Sequence, residues 1–113
     1  MIELASATAL TAPGRFEPVE VAIPPVTAND AVVRIVACGI CGSDIEQRRG
    51  HNFVGPVIPG HEPVGVVEEI GAEAARRWRV KAGDLVAVDP TLSCGRCAMC
   101  RTGRSPTVAT TRL

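Results

Sequence analysis

The 113-residue chain balances twelve Lys and Arg against twelve Asp and Glu, and 46% of its residues are hydrophobic. A chain of this length supports one domain that buries roughly two-thirds of its unfolded surface, and its apolar content argues against disorder throughout. Zero formal net charge speaks against nucleic acid, no apolar run approaches the roughly 18 residues of a membrane span, and no charged start marks a signal peptide.

Ile2 to Leu10 is apolar enough for a first strand, followed by the turn signal Thr11-Ala12-Pro13-Gly14-Arg15. Phe16, Val19, Val21 and Ile23 form a second extended segment, ended by Pro24-Pro25. Ala31 to Ala37 is a β-branched run too short for an independent helix. Ser43 to Arg49 is the best helical segment, with Ser43 placed to cap it and Asp44 four residues before Arg48. Val64 to Ile70 and Leu85 to Val88 complete the strands, with Gly83-Asp84 turning into the last. Arg76 to Lys81 reads as a solvated loop anchored by Trp78 rather than a nucleic-acid patch. Short strands punctuated by nine prolines and eleven glycines predict a small sandwich or barrel rather than a βαβ sheet. With Phe16, Phe53 and Trp78 as the only aromatic residues, its core must be aliphatic.

Five cysteines without an export signal point to a reducing compartment, the cytoplasm, where thiols serve metals or catalysis more often than disulfides. Zinc in a catalytic site takes three protein ligands from Cys, His and carboxylate and leaves one position open. Cys41 between Gly39 and Gly42, and His61 held between Pro59-Gly60 and Glu62-Pro63, suit such ligands twenty residues apart. Cys94, Cys97 and Cys100 have the two-residue gaps that suit tetrahedral zinc. His61-Glu62 opens like a metalloprotease H-E-x-x-H, but Gly65 stands where the second histidine belongs and Pro63 opposes the helix. Cys38 and Cys41 form a C-x-x-C pair without the strand–helix setting of a redox motif. A zinc ribbon joining them to Cys94 and Cys97 would have to span 52 residues, so Cys38 is expected to be a core residue closing its strand.

Gly39-Ile40-Cys41-Gly42-Ser43-Asp44, Gly60-His61-Glu62 and the Cys94 to Cys100 run together resemble the N-terminal, GroES-like domain of zinc-dependent medium-chain alcohol dehydrogenases, from Val33 to Gly103. The resemblance implies a mainly β fold, a GroES-like small β-barrel or sandwich with one or two short helices and no Rossmann domain. It implies a domain over residues 1–103 and a structural-zinc lobe starting near residue 91. The end of the chain is polar, threonine-rich and without an apolar face, so 104–113 reads as a disordered tail. Catalytic roles fall on Cys41, Ser43, His61 and Glu62. Cys41, His61 and Glu62 would hold the active zinc, Ser43 would relay the alcohol's proton, and Asp44 would orient the zinc-bound imidazole. Glu46 stands where the family often has a relay histidine, and His51 is expected at the surface. Cys94, Cys97 and Cys100 would bind the lobe zinc, but the fourth family cysteine would fall on Val108, which cannot ligate.

The implied function is the zinc-binding catalytic domain of an NAD- or NADP-linked alcohol or polyol dehydrogenase, present as a truncated chain. No G-x-G-x-x-G follows a strand, so the chain alone is expected to be inactive. The alternatives are a stand-alone, non-catalytic zinc-binding module and a subunit that needs a separate cofactor-binding chain. The expected partners are a small alcohol or polyol, a cofactor-binding domain and a second copy of the chain, with neither nucleic acid nor membrane among them.

Overall fold

The computed structural model describes residues 3–91 and 93–103. Among these, β1 (Leu4–Ala12) and β2 (Arg15–Ala22) form an antiparallel hairpin. Pro13 and Gly14 make its turn: proline pre-sets its own φ, and Gly14 takes φ +73°, a value costly for any side chain. A second sheet has the order β3-β4-β5, built from β3 (Ala31–Gly39), β4 (Glu62–Ile70) and β5 (Leu85–Ala87), all antiparallel. Helix α1 (Gly42–Arg48) lies in the connection between β3 and β4, and α2 (Ala72–Trp78) in the connection between β4 and β5. A single helical turn, α3 (Ala98–Arg101), follows. The mainly β reading of the sequence therefore holds, with three short helices among the described residues instead of one or two.

The hairpin is fastened to the β3–β4 connection by main-chain bonds. Leu10 and Val57 exchange N–H···O bonds of 2.8 and 3.1 Å, and Gly14 N–H donates to the Arg48 carbonyl at 2.7 Å. Arg48 ends α1, so its carbonyl lacks a partner within the helix, and the hairpin turn satisfies it.

Helix α2 corrects the expected solvated loop over Arg76 to Lys81. Ala72, Ala74 and Ala75 give this stretch high helical propensity, and Glu73 pairs with Arg76 at 2.6 Å on the exposed face. Its free N-terminal amides find a distant acceptor: the Ala28 carbonyl takes bonds from Glu73 N–H at 2.9 Å and Ala74 N–H at 3.0 Å. Gly71 makes this docking fit, because a Cβ there would stand 2.0 Å from the Thr27 carbonyl oxygen. Both sides of that clash are backbone, so neither gives way cheaply. Gly71→Ala is expected to lower unfolding stability by about 2–3 kcal/mol, read as a shifted urea midpoint at unchanged slope. A midpoint equal to wild type would refute the docking. Trp78 is half exposed with Arg77 over its ring at 5.4 Å, and anchors no core.

Among the described residues, the buried hydrophobic side chains are Ala9, Leu10, Val67 and Ala74, fewer than the expected two-thirds burial suggests. Ile35, Val36, Ile40, Val54 and Leu85 all lie exposed. Two thin sheets, of two and three strands, leave much of their area without a facing layer. No helix among the described residues is long and apolar enough to cross a membrane.

Candidate metal centre

β3 and β4 pair Gly39 with Glu62 at one end of their ladder, so the chain leaving β3 and the chain entering β4 meet there. Cys41 lies two residues beyond β3 and is the N-cap of α1. His61 immediately precedes β4, presented by Gly60 at φ +112°. A side chain at position 60 would be strained at that φ, and its Cβ would sit 2.9 Å from the Cys38 sulfur. Glu62 folds back over Gly39, where a Cβ would meet its Oε2 at 2.2 Å. The result is a convergence of donors: one ligand atom each from Cys41, His61 and Glu62, all within 4.8 Å of one another.

Asp44 braces this group from α1. Its Oδ2 accepts the Cys41 N–H at 2.8 Å, and its Oδ1 lies 3.3 Å from His61 Nδ1. The side chain is only 16% exposed, the least of any carboxylate in an ion pair among the described residues. Hydrogen bonds from Ser43, first its hydroxyl and then its N–H, lower the Cys41 thiol from its ordinary value, with His61 adding to the effect. The bond to Cys41 raises His61; desolvation opposes the rise, and the charges of Asp44, Cys41 and Glu62 assist it. The two shifts run toward each other, the thiol down and the imidazole up, and the hydrogen bond between the two groups contributes to both.

Cys38 does not close a core. It is an exposed free thiol paired in register with Pro63. β3 shifts register between Val32 and Val33 and again between Ile35 and Ala37, and rejecting redox and zinc-ribbon roles for Cys38 did not by itself bury it. It lines a groove of about 310 Å³ together with Leu10, Phe16, Ile40 and Ile45, reaching Asp44 and Gly60. Sequence reasoning missed this groove; apolar Ile40 and Ile45 on either side of the Cys41 motif were its one visible sign. His51 is exposed and engages Glu46 through its Nδ1, outside the three-donor group.

A second convergence lies after β5. Cys97 and Cys100 sulfurs are 3.4 Å apart, and Cys94 and Cys100 sulfurs 3.7 Å. The backbone N–H groups of Arg96 and Cys97 draw the Cys94 thiol down to about 7. The Cys100 N–H draws Cys97 the same way, but the neighbouring Cys100 and Cys94 sulfurs outweigh it and leave Cys97 raised. A closed zinc site needs four donors. Only these three gather here among the described residues, and positions 101–113 contain no Cys, His, Asp or Glu. The expected tail over 104–113 lies outside the described residues.

The alcohol dehydrogenase GroES-like domain family matches residues 27–112. The chain belongs to that family. This GroES-like domain is 46% identical over 98 residues to the "Probable alcohol dehydrogenase adh" of Mycobacterium tuberculosis, covering 86% of this chain and 27% of that protein. It is 42% identical over 87 residues to the L-idonate 5-dehydrogenase of Vitis vinifera, covering 73% of this chain and 23% of the relative. The Escherichia coli alcohol dehydrogenase rspB, solved with NADH, superposes with a TM-score of 0.77 at 35% identity, over 96% of this chain and 31% of its own. The domain thus spans about a quarter of the length of these curated relatives.

Proposed function

We propose that this chain supplies the zinc-binding, catalytic side of an NAD(P)-linked alcohol or polyol dehydrogenase, with residues 1–103 as the domain. The observation that carries the reading is the convergence of Cys41, His61 and Glu62 donors at the shared end of β3 and β4. A thiolate, an imidazole and a carboxylate are a donor set zinc accepts, and three ligands leave a position for an alcohol. Family membership and the NADH held by the E. coli relative support the redox partner. The L-idonate dehydrogenase supports a polyhydroxylated substrate.

Zinc, when bound, would act as a Lewis acid that makes the alcohol easier to deprotonate. The remaining work belongs to this chain. The Asp44 carboxylate, 3.3 Å from His61 Nδ1, favours the tautomer that keeps its proton on Nδ1, which would leave Nε2 for the metal. Ser43, hydrogen-bonded to Cys41, carries the substrate hydroxyl's proton toward solvent. Glu62 can swing over Gly39 toward or away from the metal because nothing at position 39 blocks it.

Cobalt(II) serves as a spectroscopic stand-in for zinc. In a chain with Cys94, Cys97 and Cys100 replaced by serine, one cobalt should bind with thiolate charge-transfer and tetrahedral ligand-field bands. Both sets should vanish in Cys41→Ser, and the ligand-field bands should shift when an alcohol is added. Bands that survive both Cys41→Ser and His61→Ala would rule the reading out.

A further inference from the structure

The cysteine cluster after β5 gathers three sulfurs in a cup, with no fourth donor among the described residues. Tetrahedral zinc with arms of about 2.3 Å needs sulfurs about 3.8 Å apart. The two spacings here, 3.4 and 3.7 Å, are at or below that edge. The backbone already sets the cup without metal: Cys97 N–H donates to the Cys94 sulfur at 3.3 Å and Cys100 N–H to the Cys97 sulfur at 3.5 Å. Cys94 is exposed while Cys97 and Cys100 are partly covered, so the cup opens toward solvent at one rim. Zinc placed in it must complete its shell with water or an outside ligand, where a chelator can attack.

We infer that the Cys94–Cys97–Cys100 cup is a binding site for a three-coordinate thiophilic centre of the trivalent-arsenic class. Soft thiolates select soft ions. Trivalent arsenic forms three bonds in a pyramid and carries a lone pair where a fourth ligand would stand, so three sulfurs satisfy it fully. Arsenous acid enters by exchange without any change of oxidation state. Three As–O and three S–H bonds break, three As–S bonds form, and three waters leave. The inference does not depend on the role assigned to Cys41, His61 and Glu62.

The test uses the reduced 113-residue chain loaded with zinc and then given one equivalent of arsenite. Native mass spectrometry should show one arsenic per chain with the loss of three hydrogens. In the metal-free reduced chain, thiols reactive toward a chromogenic disulfide should fall on adding arsenite from the five of the sequence to the two outside the cup, Cys38 and Cys41. Zinc held by the cup should be released in step. Cys100→Ser should abolish the three-hydrogen adduct, whereas Cys38→Ser should leave it intact, and circular dichroism should show both variants folded. Because the cup lies outside both sheets, Cys94→Ser provides a second variant that removes a sulfur without touching a strand. The inference is overturned if arsenite protects no thiols, if zinc stays bound against it in a Cys41→Ser chain, or if Cys100→Ser and Cys94→Ser both retain the full adduct.

Discussion

Asp44→Asn should bind zinc at the Cys41–His61–Glu62 group 10- to 100-fold more weakly, the usual cost of losing an outer-shell carboxylate. The amide oxygen can still accept the Cys41 N–H, so α1 keeps its start and the fold survives. What disappears is the negative charge 3.3 Å from His61 Nδ1. Competition against a chromophoric chelator, with the cysteine cup removed by serine substitution, reads the affinity directly. An unchanged affinity would remove Asp44 from the site. The pH profile adds a second readout with a definite sign. Zinc needs His61 neutral and Cys41 ionised. His61 is raised above 6.5, so protons begin to compete with metal above that pH as acid is added. Asp44 contributes to that rise after Cys41 does, so the variant should hold the competition off to lower pH even as its affinity at neutral pH falls.

Leu10→Ala should cost about 2–5 kcal/mol, out of a total that for domains of this kind is about 5–15 kcal/mol. Leu10 is 1% exposed and is the largest fully buried side chain among the described residues. Its neighbours cannot easily close on the void, because its backbone is held on both sides by Phe16 across the hairpin and Val57 across the connection. Urea unfolding followed by far-ultraviolet circular dichroism measures the loss. A change under about 1 kcal/mol would mean that the true core lies elsewhere. The same variant should loosen the approach to His61, visible as faster amide exchange at Val57.

The five strands were legible because their signals are local: alternation in β2, β-branched runs in β3 and β4, and Pro13-Gly14 or Gly83-Asp84 at the turns. Helix α1 was legible for the same reason, within one residue at each end. Helix α2 was not. It starts at Gly71 instead of at a residue that caps with its own side chain, and the acceptor for its first amides, Ala28, lies more than forty residues earlier. A cap supplied across the fold leaves no local mark. Cys38 was placed in the core by eliminating other roles for it, and its exposure depends on what covers the sheet, which no local residue signals. At the candidate metal centre, Cys41 and His61 announced themselves through the glycines and prolines around them, whereas Glu62 entered through the family resemblance. The resemblance implied Asp44 beside the imidazole, but its acceptance of the Cys41 N–H and the need for glycine at 39 and 60 are visible only in the structure.

The bonds that seat the hairpin on the β3–β4 connection join main-chain atoms alone: Leu10 with Val57, and Gly14 with Arg48. Every residue but proline offers the same N–H and C=O, so this fastening is indifferent to most side chains it passes through. The stretch between the two fixing points turns through Gly50, Asn52 and Gly55 at positive φ, where most side chains are strained, but carries Val54 88% exposed. Position 54 is therefore where that loop can change in sequence, or accept a label, while His61 stays at its post.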